Sequence, residues 1–271
     1  MKEIQQILSG KNIILDFETI GEEVCEGCGM EVEIVQFPLS LGPNKGKLMT
    51  GRKGCICEDI LLAEQAFEAR ERTKKQRAVD LFNEKSLINE VLKRATLKNY
   101  LPQTESQQKA LEWSVQYCKD FHPEKSLNAL FQGTYGVGKS HLSVGIVRYL
   151  IKQGYTCIFT SVPKLFTKIK STYDRNSDTK ESDLLDALEV VDLLVLDDLG
   201  AEQASDWQLS KLFEVIDTRA GKPTIYTTNH NSLTLAEQVG NRNFDRLLHN
   251  VEILVLDGSS YRKKQHEQTN F

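Results

Sequence analysis

The stretch Gly133-Thr134-Tyr135-Gly136-Val137-Gly138-Lys139-Ser140 decides how this chain reads. It satisfies G-x-x-x-x-G-K-[ST] at every fixed position. The run before it, LNALFQ over 127–132, is apolar and strand-like. The run after it, HLSVGIVRYLIKQG, carries apolar residues at helical spacing. Strand, glycine turn and helix in that order form the setting in which this pattern holds phosphate. Small residues let backbone N–H groups wrap an anion without side-chain clash. The helix N-terminus adds a favourable dipole. The Lys139 ammonium reaches β- and γ-phosphates, and the Ser140 hydroxyl can ligate Mg²⁺. A glycine loop arising by chance would lack both flanks.

Working outward, 193–198 reads Leu-Leu-Val-Leu-Asp-Asp. Four apolar residues make a fully buried strand. Two carboxylates leave its C-terminal end, where α/β sheets place ligands. Asp197 suits Mg²⁺ held through water, and Asp198 suits orientation of an attacking water. The alternative is a strand capped by Asp at a turn. Further on, 224–229 reads Thr-Ile-Tyr-Thr-Thr-Asn, a β-branched strand whose last amide, Asn229, can hold a lytic water. An Asn after a strand is otherwise a turn former. Arg242, Arg246 and Arg262 follow late in the chain. An arginine can stabilise charge on a transferring phosphate, in cis or from a neighbouring subunit; surface salt bridges are the plainer use.

The spacing predicts strands over 127–132, 156–161, 193–197, 224–228 and 251–256. It predicts helices over 105–121, 139–153, 163–173, 183–190, 205–220, 235–239 and 243–248. Strand–helix alternation implies parallel strands joined by crossover helices. Upstream, 58–98 lacks Gly and Pro and carries apolar residues at helical spacing around a charged run, ARERTKKQR. It reads as a solvated helical linker or a partner-docking helix.

The 271 residues are 40% hydrophobic and 27% charged, with net charge −4. That suits a globular chain of one large or two modest domains. It does not advertise a nucleic-acid binder, although a local basic surface remains open. No run approaches the roughly 18 apolar residues of a membrane span. MKEIQQILSG lacks a signal-peptide core. The expected location is therefore cytoplasmic.

Six cysteines in a reducing compartment do not suggest a disulfide framework. Cys118 and Cys157 sit in apolar surroundings and read as core thiols. Cys25-x-x-Cys28 and Cys55-x-Cys57 are two close pairs amid turn signals, in what reads as a small loop-rich unit. Each pair can present two thiolates to one tetrahedral zinc ion, organising a segment too small for its own core. Unligated thiols or a redox pair are the competing readings, though a redox C-x-x-C normally opens a helix. Such a zinc is structural.

Taken in order, GxxGxGKS, LDDLG, TTN, NRxxDRL and YR resemble the DnaC/DnaI helicase-loader branch of the AAA+ ATPases, which also holds IstB-like transposition helpers. The likeness covers about 99–264. It implies an α/β AAA+ P-loop fold with a five-stranded parallel sheet in the order 5-1-4-3-2, lacking a full helical lid. It implies three regions: a zinc-binding, helicase-interacting domain over 1–60, a helical linker over 61–98 and an ATPase domain over 99–271. Arg246 then matches a finger acting on a neighbour's nucleotide, with Arg242 as the alternative, and Arg262 matches the sensor 2 arginine. Tyr100 lies where the family meets adenine. The loop from Gly133 through Ser140, with His141 and Asp197, would surround ATP and Mg²⁺.

By that resemblance the chain would be a slow, assembly-dependent ATPase that binds a hexameric replicative helicase and delivers it to single-stranded DNA. Asp198 stands where many AAA+ proteins have Glu. Its shorter reach implies slow hydrolysis. A homo-oligomeric spiral or hexamer would form with ATP, and no membrane is involved. Lys164, Lys168, Lys170 and Phe166 could face DNA, or form an ordinary amphipathic helix. The alternatives are a transposition helper ATPase and a non-hydrolysing adaptor.

Overall fold

A computed structural model of the protein describes residues 18–39, 45–83, 92–201 and 203–261. The chain divides into two compact units, 1–71 and 72–271.

In the first unit, strands β1 (Glu18–Val24), β2 (Glu31–Pro38) and β3 (Leu48–Lys53) form an antiparallel sheet in the order β1-β2-β3. The loop-rich expectation missed these strands. Their alternation is short and interrupted by charge, as in EVEIVQFP, where only Val32 and Val35 are buried. The turn between β1 and β2 closes through Gly29 N–H donating to Cys25 O at 2.7 Å and Cys25 N–H donating to Met30 O at 2.9 Å.

Helix α1 spans Cys57–Asn83. The part of the expected helix over 84–91 lies outside the described residues, and beyond it the expectation out to 98 fails. Residues 92–94 and 97–99 are 3₁₀ turns, the second fixed by a reciprocal cap between Thr96 and Asn99. In the second unit, Ala78 and Phe82 of α1 join the core, and Lys75 Nζ pairs with Asp192 at 2.6 Å.

The remaining elements are α2 (Glu105–Asp120), β4 (Asn128–Gly133), α3 (Lys139–Lys152), β5 (Cys157–Ser161), α4 (Val162–Ser171), α5 (Glu181–Val190) and β6 (Leu193–Asp197). After them come α6 (Asp206–Thr218), β7 (Thr224–Thr228), α7 (Ser232–Val239), α8 (Asn241–Leu248) and β8 (Val251–Leu256). The strands form one parallel sheet in the order β5-β6-β7-β4-β8, which is the expected order read from the other edge. Every residue of β6 and β7 is buried, which explains their unbroken apolar or β-branched text. Helices α4, α5, α7 and α8 start one to three residues earlier than apolar spacing predicts, and α6 starts one later. At α7 the Asn231 side chain caps a first turn too polar for periodicity to register.

Cys118 and Cys157 are buried, as expected, and burial pushes both thiols up. Phe166 is also buried, together with Val162, Leu165 and Ile169. It is a core side chain and cannot stack on a base. Lys168 lies over the Phe82 ring and Lys170 over Trp207.

Arg219 is 2% exposed. Its guanidinium donates to the carbonyls of Leu188, Glu189, Val191 and Pro223, and to Thr224 Oγ1. These carbonyls include the end of α5, whose last acceptors have no partner within the helix. Burial lowers its pKa to about 10, so it stays charged at neutral pH. Removing the donors strands several buried acceptors, each costing about 1–3 kcal/mol. Arg219→Met is expected to destabilise the protein by at least about 3 kcal/mol. At about 2–4 °C per kcal/mol, a thermal melt would register a drop of roughly 6–12 °C. An unchanged melt would show that this clamp contributes little.

Candidate functional site

The site gathers at the C-terminal ends of three adjacent strands. β4 runs into the glycine loop, β6 into Asp197 and Asp198, and β7 into Asn229. Because β7 lies between β4 and β6, Asn229 falls between the loop and the acids. Lys139, 5% exposed, donates from Nζ to Gly133 O at 2.8 Å, Thr134 O at 2.8 Å and Asn229 Oδ1 at 2.7 Å. Asn229 Nδ2 donates onward to Asp198 Oδ1 at 3.3 Å. Ser140 lies near enough to Asp197 to oppose the upward shift of its carboxyl pKa. The two segments thus meet, with the loop's own lysine and serine facing the acids.

Burial raises the Asp197 pKa. A hydrogen bond from Thr227 works against that shift, the neighbouring charge of Asp198 adds to it, and Ser140 and Lys139 oppose it. This carboxylate is desolvated and short of positive charge, which is what a divalent cation would supply. Thr227 was not singled out by sequence. Its Oγ1 donates to Asp197 Oδ1 at 2.6 Å and accepts from Asp198 N–H at 3.0 Å, fixing both acids at once. The signal was a hydroxyl in the middle of a buried strand, where a β-branched residue is expected on packing grounds alone.

Asp198 has φ 57°, in the left-handed region. Asp tolerates that region better than most residues. Backbone conformation therefore gives a physical reason for Asp at this position.

Gly136 and Gly138 have φ 80° and 96°. A Cβ at Gly136 would overlap Ser260, and one at Gly138 would overlap the Tyr100 ring. Tyr100 is buried and donates from Oη to Val137 O at 2.9 Å, and burial pushes its pKa up to about 12. It braces the loop from behind. His141 packs edge-on against Tyr100, and its Nε2 bonds Thr96 O and Asn99 Oδ1. Tyr261 N–H donates to Gly136 O at 3.0 Å, bringing the chain after β8 onto the loop. Tyr135 is exposed and Val137 buried.

Arg246 is not gathered into this site. It pairs with Asp217, and its guanidinium lies 5.0 Å from the Phe213 ring centre. Arg242 lies 3.6 Å from the same ring centre. Arg262, and the expected lack of a lid, lie outside the described residues.

In the first unit the four thiols of Cys25, Cys28, Cys55 and Cys57 converge, all within 4.8 Å of one another. Cys25 Sγ is 3.5 Å from Cys55 Sγ and 3.6 Å from Cys57 Sγ, and Cys28 Sγ is 3.9 Å from Cys55 Sγ. Four sulfurs at about 2.3 Å from one tetrahedral zinc stand about 3.8 Å apart, so the donor set fits. Hydrogen bonds from backbone N–H groups lower the Cys25 and Cys28 thiols, while hydrogen bonding to Cys25 raises Cys57.

A family model for IstB-like ATP binding proteins matches residues 63–269. The chain belongs to that family. It is 31% identical over 210 residues to the replicative helicase loader DnaC of Escherichia coli (strain K12), covering 76% of this chain and 84% of that protein. The crystal structure of the DnaC helicase loader matches with a TM-score of 0.58 at 30% identity, covering 62% of this chain and all of that one. The DnaI crystal structure, at 23% identity and a TM-score of 0.55, covers 64% of this chain and 93% of that one and shares the fold. The C-terminal unit of this IstB-like protein is thus an AAA+ module. Among the described residues, no helix is long and apolar enough to cross a membrane.

The Asp197 environment fixes a prediction. An acid whose folded pKa is raised costs stability above that pKa, and the cost vanishes below the unfolded value near 3.9. Asp197→Asn is therefore expected to raise the nucleotide-free melting temperature at pH 7 while abolishing Mg²⁺-dependent nucleotide binding. The gain should shrink to nothing as pH falls below about 4. Thermal melts across pH check this; a variant less stable at pH 7 would contradict it.

Proposed function

We propose that this IstB-like protein loads a hexameric replicative DNA helicase onto single-stranded DNA, using ATP. The observation that carries this reading is the 31% identity to the DnaC loader over 84% of its length. The Lys139–Asn229–Asp198 chain supports an ATPase role.

In this reading the loop from Gly133 through Ser140 holds the triphosphate, with His141 and Tyr100 bracing it from behind. Ser140 and Asp197 would hold Mg²⁺, whose chemistry here is neutralisation of phosphate charge. Lys139 would exchange its carbonyl partners for phosphate oxygens. Asp198, steadied by Asn229, would orient the attacking water. Arg246 would act on the nucleotide of a second copy, making hydrolysis slow and dependent on assembly, with Arg262 acting in cis. ATP then works as a switch, because differential affinity for ATP and ADP shifts assembly and DNA binding.

The cysteine tetrad would hold one structural zinc, giving the N-terminal segment over 1–60 an ordered surface for the helicase, with 61–98 connecting it to the ATPase region. A transposition helper is the second reading, favoured by the IstB-like family model, which shares the same core.

Two measurements test this. Metal analysis of freshly purified, reduced protein is expected to give about one zinc per chain, and finding none removes the zinc assignment. Mixing the protein with a purified hexameric replicative helicase, ATP and Mg²⁺ is expected to give a complex that co-elutes on gel filtration. No complex at micromolar concentration would overturn the loader reading.

A further inference from the structure

Helices α6 and α8 are pinned side by side. The buried Asn243 donates from Nδ2 to Leu209 O at 3.0 Å on α6 and to Val239 O at 2.8 Å. Leu247, one turn on, is fully buried. Residues four apart share a helix face. With Asn243 and Leu247 turned inward, Arg242 and Arg246 form an exposed pair on α8. Phe213 and Asp217 have the same spacing on α6. The four side chains interlock: the Arg242 guanidinium covers the Phe213 ring at 3.6 Å, and Arg246 shares that ring and pairs with Asp217.

From this geometry we propose that Asp217 and Phe213 are positioning residues that park Arg246, and that Asp217 competes with the triphosphate of a second copy of this chain for the same guanidinium. This inference rests on the reading of Arg246 as a finger acting in trans. The parked pair is 44% and 45% exposed, so it is weak and released at little cost. A triphosphate offers several anionic oxygens to one guanidinium and outcompetes a single exposed carboxylate. Arg242 lies closer over the Phe213 ring, while Arg246 is the one paired with Asp217, which separates the roles of the two arginines. Assembly then has a built-in threshold: the finger stays occupied until a neighbour's nucleotide arrives.

The test is ATP turnover against protein concentration for the full chain, in wild type, Asp217→Ala, Asp217→Glu and Arg246→Ala. Removing Asp217 is expected to lower the half-activating concentration about two- to fivefold, the worth of one exposed ion pair. Asp217→Glu is expected to stay near wild type, which a merely structural role would not require. Melting temperatures of both Asp217 variants should stay within about 2 °C of wild type. An unchanged or raised midpoint in Asp217→Ala overturns the parking role. Arg246→Ala separates the two levels. If it keeps a concentration-dependent rise, the finger assignment itself fails. If it loses that rise while Asp217→Ala shifts nothing, only the parking role fails.

Discussion

The buried ammonium of Lys139 is the constraint on which the rest of the second unit's active end depends. One charge satisfies two loop carbonyls and the Asn229 amide, and that amide reaches Asp198. The sheet order makes this possible. A strand carrying an amide lies between the strand that opens the loop and the strand that ends in acids. Any other strand in the place of β7 would leave no Asn229 amide between Lys139 and the acids. Burying a charged amine without such partners would cost several kcal/mol.

The same region is built at the expense of stability. Asp197 is desolvated, Asp198 occupies a backbone region few residues favour, and two glycines admit Tyr100 and Ser260 so closely that no side chain would fit. Elsewhere the sheet is conventional, with apolar strands covered by helices and the buried Arg219 spent on helix-end carbonyls. Departures from easy folding therefore concentrate where phosphate and metal chemistry is proposed, as expected of a functional site.

How much of this was legible in the residues follows from the range of each signal. The loop, the acid pair and the five strands depend on local patterns, and the text from 127 to 256 carried them, whereas the order of the strands in the sheet came from the family resemblance. The cysteine tetrad was legible as two pairs, yet the three strands that bring them together were not, because their alternation is short and charged. Contacts between distant segments left no local mark. Thr227 is one β-branched residue among several in its strand. Tyr100 read as a nucleotide contact by family resemblance alone, and its hydrogen bond to Val137 and its close approach to Gly138 had no mark in the local text. Phe166 shares its text with three lysines but faces the core, because Val162, Leu165 and Ile169 share its helix face.

The central claim is that a triphosphate with Mg²⁺ is held between Lys139-Ser140 and Asp197-Asp198. Calorimetric titration of ATP, with and without Mg²⁺, into the wild type and Lys139→Ala tests it most directly. The wild type is expected to bind one ATP per chain, more tightly with Mg²⁺, and the variant to show no measurable heat. Equal affinity in both proteins, or binding indifferent to Mg²⁺, would contradict the account.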